Sequence, residues 1–377
     1  MTLNDYQHQA FRTSGPGRSR ALWRERRRRR TRQTTPLPRN GTRRHGVTAL
    51  IPAYNEAHSI VSTIETLLKQ TVPLAQILVI DDCSTDDTAT LACAAGAPVL
   101  KLSHNTGKAR ALNQALAEVD TAYVMTVDAD TRLAPDALAH LLAAMDDMRV
   151  GVACAKVLPW QLTTLWERGR LVEYTLGQFI HKSAQHRLRS VLVASGCCAL
   201  YRTPVLQSVG GFRPGTITED LDTTWLLFEE GFQTAFVAEA RCFTMEPTTL
   251  QMYTRQLDRW YRGMWQCLAC HTWRRTWRLK LLVYWYIVDA LLAPVALVAT
   301  LIGTTQSPLY WCGLAFLLEL GMVGLVAVGA EPRRWREILS GLPAYLLLRH
   351  INLYAYLLAF WRERMQNQHL AIWHKGH

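Results

Sequence analysis

The chain has 377 residues, 49% of them hydrophobic and 19% charged, which excludes a disordered polymer and leaves enough for one large domain with additions. Its net charge of +12 is unevenly placed: residues 1–46 hold thirteen Arg against Asp5 and Glu25, and residues 47–377 hold 29 basic and 28 acidic side chains. A body this close to neutral lacks the basic folded face of a nucleic-acid binder, so no nucleic-acid partner is expected. The nine Cys follow neither a zinc spacing nor a secreted disulfide framework.

Residues 1–46 have no apolar periodicity and include the run Arg26–Arg30. No apolar core follows the charges, so the segment is not a secretory signal. It reads as a disordered basic arm suited to anionic lipid, at roughly 1 kcal/mol per basic residue near a bilayer surface.

From Val47 short apolar runs at 47–52, 76–81, 98–102 and 122–128 alternate with helical patterns at about 57–70, 86–95 and 107–119. Strand–helix alternation predicts an α/β domain with parallel strands and right-handed crossovers. Ligands of such sheets lie at the carboxyl ends of strands. The unusual polar residues fall there: Asn55-Glu56, Asp81-Asp82, and Asp128 with Asp130.

After Arg278 the chain turns apolar. Residues 281–302, 308–330 and 338–361 each reach the roughly 20 residues needed to cross a ~30 Å hydrocarbon layer. Asp289, Glu319 and Arg349 interrupt them and either line a polar path or pair with one another. Trp273, Arg274, Arg275, Trp277, Arg278 and Lys280 suit an interfacial helix, and Arg333, Arg334 and Arg336 mark a cytoplasmic loop. The expectation is an integral membrane protein with its catalytic domain on the cytoplasmic face.

Several motifs carry chemistry. Asp128-Ala129-Asp130 leaves a strand and offers two hard oxygen ligands for Mg²⁺ or Mn²⁺ beside phosphates. Gly107-Lys108 opens a helix, where backbone N–H groups and an ammonium favour an anion. Thr218-Glu219-Asp220 precedes a helix and provides either a cap or a general base. Gln256, Arg259 and Trp260 lie together on a helix, where the guanidinium suits a diphosphate and the indole a sugar ring. Cys267-Leu268-Ala269-Cys270-His271 spells a haem-attachment pattern, but no haem-sized domain surrounds it.

In this order the motifs Ile51–Glu56, Val79–Asp86, Gly107–Asn113, Asp128–Asp130, Ser195-Gly196, Thr218–Asp220 and Gln256–Trp260 resemble the family 2 glycosyltransferases. Within that family they resemble the membrane-embedded processive synthases of poly-N-acetylglucosamine, hyaluronan and chitin oligosaccharides, from about residue 47 to residue 263. Glu173-Tyr174 is similar to the helix that precedes the acceptor site of these synthases.

The resemblance implies a GT-A nucleotide-sugar domain over 47–263, an interfacial helix at 264–280, two to three transmembrane helices within 281–361 and a tail at 362–377. Pro52, Tyr54, Glu56 and Asp82 would hold uridine, Lys108 would approach the diphosphate, and Asp128 would lie beside the nucleotide. Asp130, with Asp128, would hold the metal. Asp220, beside Glu219, would deprotonate the acceptor. Gln256, Arg259 and Trp260 would grip the diphosphate and acceptor terminus, with Ser195 and Gly196 on the acceptor side. The implied reaction is inverting transfer of a hexose or N-acetylhexosamine from a UDP-sugar to a growing β-linked polysaccharide, with translocation. The alternative is a single addition to a lipid or polyprenyl acceptor. A homo-oligomer is compatible with either.

Overall fold

The structure is a computed structural model that describes residues 44–272, 275–285, 287–288, 308–368 and 370. The chain separates into a unit Met1–Thr42 and a unit Arg43–His377. The lipid-binding role of the arm, Asp289 and most of the first apolar segment lie outside the described residues.

The second unit is organised around one eight-stranded sheet. Its strands are β1 (Arg44–Ala53), β2 (Gln76–Asp81), β3 (Val99–Lys101), β4 (Thr121–Val127), β5 (Thr131–Leu133), β6 (Val150–Pro159), β7 (Cys198–Arg202) and β8 (Gln233–Thr244). Their spatial order is β3-β2-β1-β4-β7-β6-β8-β5. The four strands read from the sequence form the parallel half, in register through Ile51↔Val79, Ile80↔Leu100 and Leu50↔Thr126.

The other half corrects the all-parallel expectation. β7 pairs antiparallel with both β4 and β6, and β5 antiparallel with β8. A long helical excursion between β6 and β7 returns the chain to the end of the sheet it left, so β7 runs backwards. β6 is buried along its whole length, as a central strand covered on both faces must be.

The helices are α1 (Ile60–Leu68), α2 (Thr88–Ala94), α3 (Lys108–Leu116), α4 (Ala137–Ala144), α5 (Leu165–Leu176), α6 (Ser183–Arg187), α7 (Thr203–Ser208), α8 (Glu219–Glu229), α9 (Leu250–Cys270), α10 (Pro308–Ala330) and α11 (Trp335–Phe360). One face of the sheet packs Ile51, Val79 and Met125 against Ile60, Ile64 and Leu67 of α1, an i, i+4, i+7 stripe. The other packs Leu50, Ile80 and Val124 against Ala111, Leu112 and Ala115 of α3. α5 begins at a capping box, in which Thr164 Oγ1 accepts from Glu167 N at 3.2 Å and Glu167 Oε2 from Thr164 N at 2.7 Å. A π-helical turn, Gly177–Lys182, joins α5 to α6.

The C-terminal helices overturn the membrane expectation. Among the described residues no helix is long and apolar enough to cross a membrane, so the reading as an integral membrane protein with a cytoplasmic-face domain is corrected. The physical reason lies in what these helices touch. Ile338 and Leu342 of α11 cluster with Leu171, Val172 and Leu176 of α5. A Cβ on Gly341 would come within 2.4 Å of the Arg168 carbonyl oxygen, so the two backbones are in contact. Arg349 pairs with Glu319 of α10, and Asn352 donates to Glu173 Oε1 at 3.2 Å. Among the described residues, Glu319 and Arg349 thus pair α10 with α11, and Asn352 ties α11 to α5.

Candidate active site

Because β1, β2 and β4 run parallel, their carboxyl ends bring residues 54–56, 81–82 and 128–130 to one edge of the sheet. The first two loops are tied together. Asn55 and Cys83 take left-handed φ values of 56° and 66°, a conformation that Asn tolerates through its short polar side chain. Asn55 Oδ1 accepts from Thr85 N at 2.8 Å, and Glu56 N donates to Thr88 Oγ1 at 2.7 Å. Asp81 Oδ1 accepts from Ser84 N at 3.0 Å, while its Oδ2 is buried with no partner among the described residues.

The buried Asp82 carboxylate reaches the next loop. It accepts from Thr106 N at 2.7 Å, Thr106 Oγ1 at 2.9 Å and Gly107 N at 2.8 Å. Gly107, at φ 83°, makes the left-handed turn that opens α3 and sets Lys108 at its first position.

Lys108 is the centre of the cluster. Its Nζ lies 2.6 Å from Asp128 Oδ1 and 2.9 Å from Glu219 Oε1. Burial alone would lower its pKa, but the Asp128, Glu219 and Asp220 carboxylates outweigh it and hold the ammonium well above the usual lysine range. Asp130 moves the opposite way. Burial, then repulsion from Asp128 and Glu56 and more weakly from Glu246, pushes its carboxyl up to about 7 against the pull of Lys108.

The Asp220 carboxylate completes the group. Its Oδ2 accepts from Gly196 N at 3.1 Å and its Oδ1 from Leu221 N at 2.8 Å. Burial and the adjacent Glu219 raise its pKa, opposed by Lys108. A Cβ on Gly196 would lie 3.2 Å from Lys108 Nζ and 3.3 Å from Asp220 Cβ, so the glycine backbone sits close against both side chains.

Beside Gly196, Ser195 Oγ accepts from Lys182 Nζ at 2.7 Å. Behind that pair lies a cavity of about 220 Å³ lined by Glu173, Tyr174, Gln178, Lys182, Leu192 and Val193 among others. α9 borders the same region and carries Gln256, Arg259 and Trp260, all half-buried.

The sequence-predicted residues fall into groups. Lys108, Asp128, Glu219, Asp220 and Gly196 converge within direct contact, and Asp130 joins them electrostatically. Pro52, Tyr54 and Glu56 stand at the end of β1, where Glu56 Oε2 accepts from Ser59 Oγ at 2.8 Å. Asp82 is joined to the cluster through the 106–107 turn. Sequence reasoning missed Lys182, Arg170 and Glu246. Only their proximity to Ser195 and to Glu173 in the chain marked the first two, and Glu246 stood apart from every motif.

The fold and the cluster define a GT-A-like α/β nucleotide-sugar-binding unit. Residues 48–210 match the family model described as Glycosyl transferase family 2. An N-acetylglucosaminyltransferase of Mesorhizobium japonicum is 32% identical over 248 residues, covering 61% of this chain and 58% of the relative. A poly-beta-1,6-N-acetyl-D-glucosamine synthase of Staphylococcus aureus is 28% identical over 223 residues, covering 58% of this chain and 54% of the relative. The chain thus spans little more than half the length of these curated relatives. A mannosyltransferase from Pyrobaculum calidifontis, solved in complex with GDP-Man and Mn²⁺, superposes with a TM-score of 0.57 at 20% identity over 89% of this chain and 94% of that one. That likeness establishes the shared fold.

Proposed function

We propose that the chain transfers N-acetylglucosamine, or a closely related hexose, from a UDP-sugar to a saccharide hydroxyl with inversion, extending a β-linked glycan. The observation that carries the reading is the contact of one ammonium, Lys108, with carboxylates from two separate motifs, Asp128 and Glu219, beside the Asp220 carboxyl. The names of both curated relatives support N-acetylglucosamine as the sugar.

In this reading Asp82, Glu56, Tyr54 and Pro52 form the uridine side. Lys108 meets the diphosphate, exchanging its carboxylate contacts for phosphate oxygens. Asp220, with its raised proton affinity, takes the acceptor proton as the hydroxyl attacks, and Glu219 and Gly196 hold its orientation. Gln256, Arg259 and Trp260 steady the leaving diphosphate and the acceptor terminus, with Ser195 and Gly196 on the acceptor side.

The residues present fit a divalent cation. Burial, and then neighbouring carboxylates, raise the proton affinity of Asp130, a cost to its charged form that a bound cation relieves. Lys108 already neutralises Asp128, and no group of three His, Cys, Asp or Glu side chains is placed to hold a metal among the described residues. That donor set suits Mg²⁺ or Mn²⁺ held by Asp130, with Asp128 beside it, and completed by phosphate oxygens and water. When bound, the ion would neutralise charge developing on the leaving diphosphate.

Incubating the purified chain with UDP-GlcNAc, UDP-glucose or UDP-glucuronate, Mn²⁺ and chito-oligosaccharide primers tests the reading. UDP release coupled to a lengthened primer upholds it, and a ladder of products identifies polymer synthesis. One discrete glycolipid from added polyprenyl phosphate would move the enzyme to single addition. No UDP release from any donor would sink the proposal.

A further inference from the structure

We infer that Arg170 is a positioning residue for the transfer reaction, holding Gln256 and Trp260 of α9 in their working orientation; the inference rests on the transferase reading above. Arg170 lies on α5 and is 1% exposed, too buried to serve as a surface charge. Its guanidinium is shared among several elements. Nε donates to Glu246 Oε2 at 2.9 Å, Nη1 to Glu173 Oε2 at 2.7 Å, and Nη2 to the Tyr174 hydroxyl at 2.6 Å and Gln256 Oε1 at 3.5 Å.

The plane of the group also lies against aromatic rings. Its central carbon stands 4.3 Å from the centroid of Tyr174, 5.1 Å from Tyr253 and 5.3 Å from Trp260. Two residues of the Gln256–Trp260 motif thus meet one buried cation, Gln256 through its side-chain oxygen and Trp260 through its ring. A planar fork with five donors can satisfy this arrangement; a lysine ammonium cannot.

The network is braced from the far side. Tyr253 donates to Glu173 Oε2 at 3.2 Å, and Asn352 of α11 donates to the Tyr253 hydroxyl at 2.6 Å and to Glu173 Oε1 at 3.2 Å. Tyr261 donates to Asn352 Oδ1 at 2.6 Å. α11 therefore contributes to the placement of α9, through the side chain of Asn352.

The test is a double-mutant cycle on the full chain with Arg170→Lys, Gln256→Ala and the pair, reading kcat, donor KM and melting temperature. Arg170→Lys keeps a cation beside Glu246 but loses the fork. We expect kcat to fall about tenfold with donor KM within about twofold, and that loss to shrink below about threefold when Gln256 is already Ala. Additive losses overturn the inference, as does a kcat loss that appears only with a matching rise in KM and a lowered melting temperature. If Arg170→Lys does not fold, Asn352→Ala takes its place in the same cycle: a kcat loss that vanishes in the Gln256→Ala background upholds the inference, and an unchanged kcat overturns it. A wild-type chain without transfer would sink the transferase reading; an active wild type with an equally active Arg170→Lys would sink only the role of Arg170.

Discussion

Gly263 lies against Thr218 so closely that a Cβ on the glycine would sit 2.4 Å from the threonine Oγ1 and 2.4 Å from its Cγ2. Thr218 is the residue that starts α8, and Gly263 is one turn beyond the Gln256–Trp260 motif on α9. The helix that opens with Glu219-Asp220 and the helix that carries Gln256–Trp260 are thus seated on each other through an absent side chain. Gly263→Ala should cost about 1–3 kcal/mol by overpacking, with transfer falling more steeply than donor binding. Urea midpoints and turnover measured together check this, and a variant as stable and active as wild type would contradict it.

In the proposed reaction, Asp220→Asn removes the proton acceptor and keeps the shape. Transfer should drop by about 10²–10⁴-fold, with UDP-sugar affinity measured calorimetrically unchanged. Because the folded Asp220 carboxyl titrates above the ordinary carboxylate range, wild-type turnover should decline with acidification at a higher pH than an unperturbed Asp would give. Equal loss of donor affinity in the variant would make Asp220 a nucleotide ligand.

Asp130 gives a stability signature. Its folded pKa of about 7 lies above the ~3.9 of an unfolded Asp, so the folded state binds the proton more tightly. The associated stability is full below about pH 4 and is lost as pH rises towards 7. Asp130→Asn should therefore raise the metal-free melting temperature at about pH 8 and change it little at about pH 4. Added Mn²⁺ should stabilise the wild type at the higher pH and leave Asp130→Asn nearly unmoved, with EDTA reversing the gain. Equal Mn²⁺ responses in the two proteins would remove Asp130 as a ligand.

The buried His271 tests a different part of the fold. Its Nε2 lies 2.5 Å from Asp222 Oδ1 and its Nδ1 3.4 Å from Glu229 Oε1, with Arg213 Nη2 2.9 Å from Nε2. Burial opposes its charge, but the hydrogen bonds to the two carboxylates outweigh burial and raise its pKa. A raised histidine stabilises the fold below its unfolded value near 6.5, and this contribution is lost as pH rises through the folded value. His271→Gln should cost about 1–3 kcal/mol at about pH 5.5 and clearly less at about pH 9, read from denaturant midpoints. A cost independent of pH would mean that His271 is neutral in the fold.

The parallel half of the sheet was legible because its strands end in polar residues and a helix separates each from the next. Residues 76–81 form β2 as read, and β4 stops at Val127, one residue before Asp128. The antiparallel half was not legible, since β6 and β7 are separated by helices and carry no hairpin signal. Lys108, Asp128 and Asp220 stood out as charges at strand or helix ends. Arg170 did not, because a charge inside an amphipathic helix looks solvent-facing until Glu246, from 76 residues away, is placed beside it. Residues 338–361 misled for the related reason that an apolar helix against a protein surface and one against lipid share a composition. Gly341 on the Arg168 backbone, and Asn352 on Tyr253, separate the two.

The Asp82 carboxylate, with its three bonds to Thr106 and Gly107, has a consequence for how donor choice could change. In the proposed reading Asp82 stands on the nucleobase side, and its bonds also set the height of the loop that aims Lys108. In that reading, altering the corner to admit another base would tilt the lysine as well, which couples base preference to phosphate grip. Ser195, Lys182 and the cavity behind them lie outside this hinge, so substitutions there leave the aim of Lys108 untouched.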